Sequence, residues 1–260
     1  MQAATVLNAR IAPSAPTATA VAALFVNECV QDGPGVSIPR PEVQLVARFG
    51  PSARGGLDVH AMGVRQTVHR KLVRSGQRAV TARLHLGASE VVLGVRASAI
   101  AGRIVALEDL WGAAATRRLL DLLAAAGDAS DAAASLESVI NERLAAAHGR
   151  RAGAQLALGA AERLPRATVH AVAVDLGVSE RHLRRVFRDY VGVGPKTFAR
   201  LIRFHRALGA SRTGRHAGWA AIAAAAGYYD QAHLIAEFRA IAGVTPQALL
   251  GELRAAPMLG

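Results

Sequence analysis

Four arginines carry the first chemical signal in this sequence. Arg181, Arg184, Arg185 and Arg188 fall at i, i+3, i+4 and i+7, the spacing of one face of a helix. Leu183, Val186, Phe187 and Tyr190 repeat that spacing two residues out of phase. Two residues are about 200° of helical rotation, so the arginines stand opposite an apolar back. Guanidinium groups bond bidentately to guanine edges or to phosphate. A short helix with such a front suits the major groove of DNA. A merely solvated basic surface is the plainer alternative, and the helical register of the arginines argues against it. The reading fails if the side chains turn inward or are locked in carboxylate pairs.

The elements that would position this helix occur twice. Residues 179–195, Ser-Glu-Arg-His-Leu-Arg-Arg-Val-Phe-Arg-Asp-Tyr-Val-Gly-Val-Gly-Pro, align with residues 230–246, Asp-Gln-Ala-His-Leu-Ile-Ala-Glu-Phe-Arg-Ala-Ile-Ala-Gly-Val-Thr-Pro. His182/His233, Leu183/Leu234, Phe187/Phe238, Arg188/Arg239, Gly192/Gly243, Val193/Val244 and Pro195/Pro246 are identical pairs. Self-similarity of this kind means one supersecondary unit used twice. A helix-turn-helix needs a small residue where the second helix crosses the first and a turn residue tolerant of positive φ. Ala173 and Gly177 supply both, and Ala223 and Gly227 repeat them. Ser179 and Asp230 stand where an N-cap belongs. The first unit is expected at about 168–190 and the second at about 217–242, its turn one residue longer. Between them, 195–210 opens on a proline and reads as a joining helix with Phe198, Leu201, Ile202, His205 and Leu208 on its apolar stripe. A rigid helix here would hold the two second helices roughly one DNA turn apart, ~34 Å.

Residues ~153–254 resemble the DNA-binding domain of AraC-type transcription regulators. The run Ala223-x3-Gly227-Tyr-x-Asp-Gln-x-His-Leu-x3-Phe238-x4-Gly243-x-Thr245-Pro246 is similar to that family's carboxy-terminal signature. The resemblance implies double-stranded DNA, an operator or promoter, as partner, with a small-molecule effector, RNA polymerase and a second copy as candidate partners. By position it puts base contacts on Arg181, Arg184 and Arg185 and, in the second unit, on Gln231, Ala232 and Ala236. The second helix departs from the family's polar pattern: only Gln231, with His233 and Arg239, can hydrogen-bond. Discrimination is therefore expected mainly from the first unit. The second is expected to hold phosphates or to set Ala232 and Ile235 against thymine methyls. Arg188, furthest from the entering end, is expected on phosphate. Arg200, Arg203 and Arg206 are as well explained by solvation or pairing as by DNA. His182 and His233 read as packing or phosphate-facing, and Trp219, Tyr228 and Tyr229 as core around the second turn.

Upstream the texture changes. Residues 1–20 lack a period and read as a loose arm; 31–41 read as loop from Gly33, Pro34, Gly35, Pro39 and Pro41. Short alternating runs at 43–49, 57–64, 66–73 and 78–86 predict strands, with a hairpin turn at Ser75-Gly76. Helices are predicted at 113–126 and 130–148, and a joint at 149–153. The fold class is thus α+β. A small antiparallel β unit with trailing helices (1–150) would be an effector or dimerisation domain. An all-α domain (151–260) would hold the two helix-turn-helix units. Residues ~38–112 resemble, less specifically, the amino-terminal domain of one AraC-like subgroup, through Leu107-Glu-Asp-Leu-Trp-Gly112. Trp111, Leu107 and Leu110 are expected to seal that unit's core.

Bulk composition agrees. Of 260 residues, 52% are hydrophobic and mean hydropathy is +0.23, too apolar for disorder. Net charge is +12, which suits a polyanion. From Arg181 to Arg215 only Asp189 opposes the basic residues. Cys29 is the single cysteine, so no intrachain disulfide forms; with no signal-peptide or membrane-spanning pattern, a cytoplasmic protein is expected. No cofactor, metal or catalytic set is expected. His60, His69 and His85 lie on neighbouring predicted strands without ligand spacing. An alkyl-transfer repair enzyme with an AraC-like targeting domain would need a basic, histidine-bearing setting for Cys29, and Val26-Asn-Glu-Cys29-Val-Gln31 lacks one. A non-specific architectural DNA binder is the other alternative.

Overall fold

In the computed structural model, residues 5–147, 152–213, 218–256 and 258–259 are described. Strands β1 (Thr5–Ile11), β2 (Val21–Gln31), β4 (Gln44–Phe49), β5 (Leu57–Met62), β7 (Arg78–Leu84) and β8 (Ile104–Ala106) form one antiparallel sheet, in the order β1-β2-β7-β4-β5-β8. β3 (Gly33–Ser37) lies between β6 (His69–Val73) and β9 (Met258–Leu259) in a second sheet. The first sheet has two unlike faces, because successive strand residues point to opposite sides. Leu45 and Ala47 on β4, Val80, Ala82 and Leu84 on β7, and Val59 and Ala61 on β5 are buried. They share one core with Leu119 and Leu123 of α3 (Ala113–Ala124) and Leu136 and Ile140 of α4 (Ala129–Ala146). Gln44, Val46, Arg48, His60 and Thr81, on the alternate positions, line a cavity instead.

The expected strands are present, and three expectations are corrected. The loose arm is β1 from Thr5 onward, paired with β2 from Val6↔Cys29 to Ile11↔Leu24. As an edge strand it is exposed along most of its length, so it shows no burial period. The expected loop at 31–41 contains β3, and Pro34 is tolerated where β9 no longer flanks the strand. Ser75-Gly76 is a turn, with Gly76 at φ +76°, but it does not close a simple hairpin. β6 pairs with β3 while β7 pairs with β2. Two strands bend together at Asp32, whose carboxylate accepts from the Ser75 N–H at 2.7 Å and from Arg74 at 3.2 Å.

Helices α1 (Ser89–Leu93) and α2 (Glu108–Trp111) follow the sheet. Leu107 is buried, and Trp111 donates its indole N–H to the Val92 carbonyl at 3.1 Å under the Arg143 guanidinium, sealing that core as expected. The rest is helical: α5 (Ala152–Arg163), α6 (Val169–Asp175), α7 (Glu180–Val191), α8 (Pro195–Thr213), α9 (Trp219–Ala226), α10 (Gln231–Ala242) and α11 (Pro246–Ala255). α6 with α7, and α9 with α10, fall within two residues of the two expected units, and α8 runs three residues past the expected 195–210. The expected joint lies outside the described residues apart from Ala152 and Gly153. A Cβ at Gly153 would sit 2.3 Å from the Tyr190 ring, which would have to shift.

One hydrophobic cluster runs through both halves of this α+β architecture. The amino-terminal half also grips the ends of both repeated helices. Val68 donates its N–H to Ile241 O at 2.8 Å and Arg70 donates to Ala242 O at 2.8 Å. Arg96 reaches Asp189 at 3.4 Å, and Gly192 lies against Ala97.

Candidate nucleic-acid interface

The two helix-turn-helix units repeat the same bonds through the turn and at the start of the second helix. In the first, Gly177 takes φ +65° and its N–H donates to Val174 O, while Val178 N–H donates to Ala173 O at 3.0 Å. In the second, Gly227 takes φ +86° and donates to Ala224 O, while Tyr228 N–H donates to Ala223 O at 2.9 Å. This pattern ends a helix by folding its last carbonyls onto the turn, which a glycine in the left-handed region permits. Ala173 and Ala223 are fully buried at the crossings. The following helix begins on the expected cap each time. Ser179 Oγ accepts from His182 N–H at 3.2 Å, and Asp230 Oδ1 from His233 N–H at 2.7 Å. Thr245 caps α11 in the same way, with Pro246 in its first turn. α7 and α10 each stop on a left-handed glycine, Gly192 and Gly243.

Leu183, Val186 and Phe187 on α7, and Leu234 and Phe238 on α10, face inward. Phe204 of α8, which lies beside the stripe read from the sequence, is also fully buried and meets Phe238 at 4.6 Å between ring centroids. A stripe of alternating apolar and basic residues hid it.

The front of α7 points to solvent. Arg181, Arg185 and Arg188 are exposed and Arg184 is half-buried. Among the described residues, Arg181 and Arg188 have no carboxylate partner. Arg184 is held by Glu180 at 2.7 Å, and Arg185 is 3.8 Å from Asp189 and 3.2 Å from the His182 ring. The hydrogen bond from Arg184, with His170 adding, keeps the Glu180 carboxyl below the usual range. Such exposed one-turn pairs contribute only ~0.3–0.5 kcal/mol, so they order the side chains without withholding them from a stronger anion.

On α10, Gln231, Ala232, His233, Ala236 and Arg239 are exposed, while Ile235 packs partly against the core. Glu237 collects Arg203 at 3.0 Å, Arg200 at 3.7 Å and His233 at 3.7 Å. Arg203 also lies over the Tyr228 ring. Arg206 points to Pro165 O at 3.5 Å. The joining-helix arginines are therefore occupied in tying α8 to its neighbours. Burial, with Glu237 close by, pushes the Tyr228 hydroxyl up. Tyr228 and Trp219 pack as expected, but Tyr229 does not: it is 93% exposed. The Tyr228–Ala223 bond commits Tyr228 to the interior, and the extra turn residue leaves Tyr229 facing out beside the Asp230 cap. Its position next to a glycine turn was the only sequence signal available.

Cys29 is buried and directs its Sγ to Gln31 O at 3.1 Å. His60 and His69 line one cavity and His85 another. Among the described residues no group of three or more His, Cys, Asp or Glu could hold a metal ion, and no helix is long and apolar enough to cross a membrane.

Residues 172–252 match a family model described as a helix-turn-helix domain. With the paired units, caps and signature above, this segment is an AraC-type DNA-binding domain, of the kind carried by transcription regulators. No curated protein matches the chain. Solved structures similar to it include ToxT from Vibrio cholerae, at 9% identity and a TM-score of 0.44 over 96% of this chain and 98% of that one. ToxT from Vibrio cholerae O395 bound to (E)-4-(8-methylnaphthalen-1-yl)but-3-enoic acid aligns at 8% identity and a TM-score of 0.47, over 97% and 100%. Unsaturated fatty acid-bound ToxT from strain SCE256 aligns at 10% and 0.40, over 96% and 95%.

Proposed function

We propose that this protein is a sequence-specific, effector-responsive transcription regulator of AraC type. Residues 151–260 read operator DNA and residues 1–150 regulate that reading. The observation that carries the proposal is the solvent-facing guanidinium row of Arg181, Arg185 and Arg188 on a capped helix whose other side is core. Arg181, Arg184 and Arg185, near the entering end of α7, are assigned to base edges and Arg188 to phosphate. Gln231, His233 and Arg239 are assigned to the backbone or to a single base. Ala173, Gly177, Ser179, Leu183 and Phe187, with Ala223, Gly227, Asp230, Leu234, Phe238 and Pro246, hold the two helices in reading position.

Duplex selection from randomised sequence tests this. A recovered motif, with binding that falls steeply as salt rises, supports it. Arg185→Ala should then lose ~1–3 kcal/mol of discrimination at one base pair. Equal binding to all duplexes would favour an architectural role instead. An alkyl-transfer role would show as mass added to Cys29, whose burial speaks against it.

A further inference from the structure

The sheet face turned away from the core forms the floor of a cavity of about 330 Å³. Three polar residues of that floor are buried: Gln44, Thr81 and His60, at 6%, 4% and 8% exposure of the whole residue. Their positions coincide because β4 lies between β5 and β7, and Val46 is directly opposite both His60 and Thr81. His60 bonds Asp58 through Nδ1 at 3.3 Å. Gln44 and Thr81 have no side-chain hydrogen-bond partner among the described residues. Their polar ends open onto the cavity rather than being sealed from solvent, so a group that enters it can bond them.

The rim is cationic. Arg48, Arg65, His69 and Lys71 border the same space. The nearest carboxylate is already saturated: Asp58 accepts from Arg48 at 2.9 and 2.7 Å and from the Arg54 N–H at 2.7 Å. Arg65 reaches only the Ser37 hydroxyl, at 2.9 Å, and among the described residues neither it nor Lys71 has a carboxylate. Solvent reaches Lys71, yet its ammonium is held below its usual range, first by desolvation and then by repulsion from Arg48 and Arg65. Crowded cations with one satisfied carboxylate leave unbalanced positive charge over an unsatisfied polar floor.

We propose that this cavity binds a small hydrophilic organic anion, its charged oxygens on Lys71 and Arg65 and its hydroxyl or carbonyl groups on Gln44 and Thr81. The inference rests on the effector-responsive reading above and names the ligand class that reading needs. Carboxylate and phosphate share the required chemistry. A purely aliphatic acid does not, since its chain would cover Gln44 and Thr81 without bonding them.

Calorimetric titration of the full-length protein without DNA tests the site, with citrate, inorganic phosphate and decanoate as separate probes. Saturable one-to-one binding of citrate or phosphate is expected, and which of the two binds tells carboxylate from phosphate. Lys71→Gln and Gln44→Leu should each weaken that binding at least tenfold. The uncharged Gln44 is decisive, because a counterion gathered by net charge alone would ignore its loss. Should Gln44→Leu fail to fold, Thr81→Val, which also removes an uncharged polar group of the floor, decides in its place. The proposal is overturned if none of the probes binds one-to-one, if only decanoate does, or if Gln44→Leu binds as the parent does. Since no DNA is present, a negative result leaves the DNA reading standing, and a failed duplex selection leaves an anion titration unaffected.

Discussion

The Arg70 guanidinium donates to the Ala242 carbonyl across 2.8 Å, and the same side chain holds Glu252 at 2.8 Å. A residue of β6 thus sits on the carboxy-terminal end of α10, where the helix dipole favours a cation. Its neighbour Val68 bonds the backbone one residue earlier, at Ile241. Helix α10 is held from behind by the amino-terminal half. Arg70→Ala should cost about 1 kcal/mol of stability in urea unfolding, given its partial exposure. In a double-mutant cycle with Glu252→Ala, a coupling of a few tenths of a kcal/mol is expected. Strict additivity would show that the contact does not form.

Arg188 is exposed at the far end of α7 with no carboxylate partner among the described residues, which suits a phosphate. Arg188→Ala should weaken binding to every duplex alike and lower the salt slope by about one. A changed base preference would move Arg188 to the base-reading set.

Tyr229 projects from the turn before α10 with 93% of its surface exposed. Removing it should leave the melting temperature unchanged. If its hydroxyl bonds the DNA backbone, Tyr229→Phe should weaken duplex binding by ~0.5–1.5 kcal/mol in fluorescence anisotropy. Unaltered binding in both Tyr229→Phe and Tyr229→Ala would remove it from the interface.

His205 of α8 bonds Pro39 O at 2.6 Å through Nε2. Burial, with Arg40 and Arg83 nearby, lowers its pKa to about 4, against 6.5 when unfolded. The folded chain therefore binds fewer protons than the unfolded one between those values. Stability from this group is full above about pH 6.5 and falls as pH drops towards 4, by roughly 3 kcal/mol at most. His205→Gln should flatten that part of the stability curve. His60, also lowered by burial, would leave a residual slope. An identical pH profile for parent and variant would show that His205 is not buried as described.

Much of the carboxy-terminal half was legible from residue order. Ser179, Asp230, Gly177 and Gly227 act through bonds a few residues long, so a local pattern suffices to place the caps, turns and helices. The exposed arginine face followed from helical phase alone. Tyr229 was misplaced because two adjacent tyrosines are equivalent in sequence, and only the turn decides which one is buried.

The amino-terminal half was less legible for a physical reason. An edge strand such as β1 has no buried face to impose a period, and β3 hides among glycine and proline. Pairing β3 with β6, and β2 with β7, depends on a bend at Asp32 that no local pattern announces. Residue order by itself determined the repeated units, their caps and the charge of the exposed face of α7. Tertiary structure alone decided that β6 braces α10 and that Gln44, Thr81, Arg65 and Lys71 share one cavity, since those groups meet only through pairings distant in the chain.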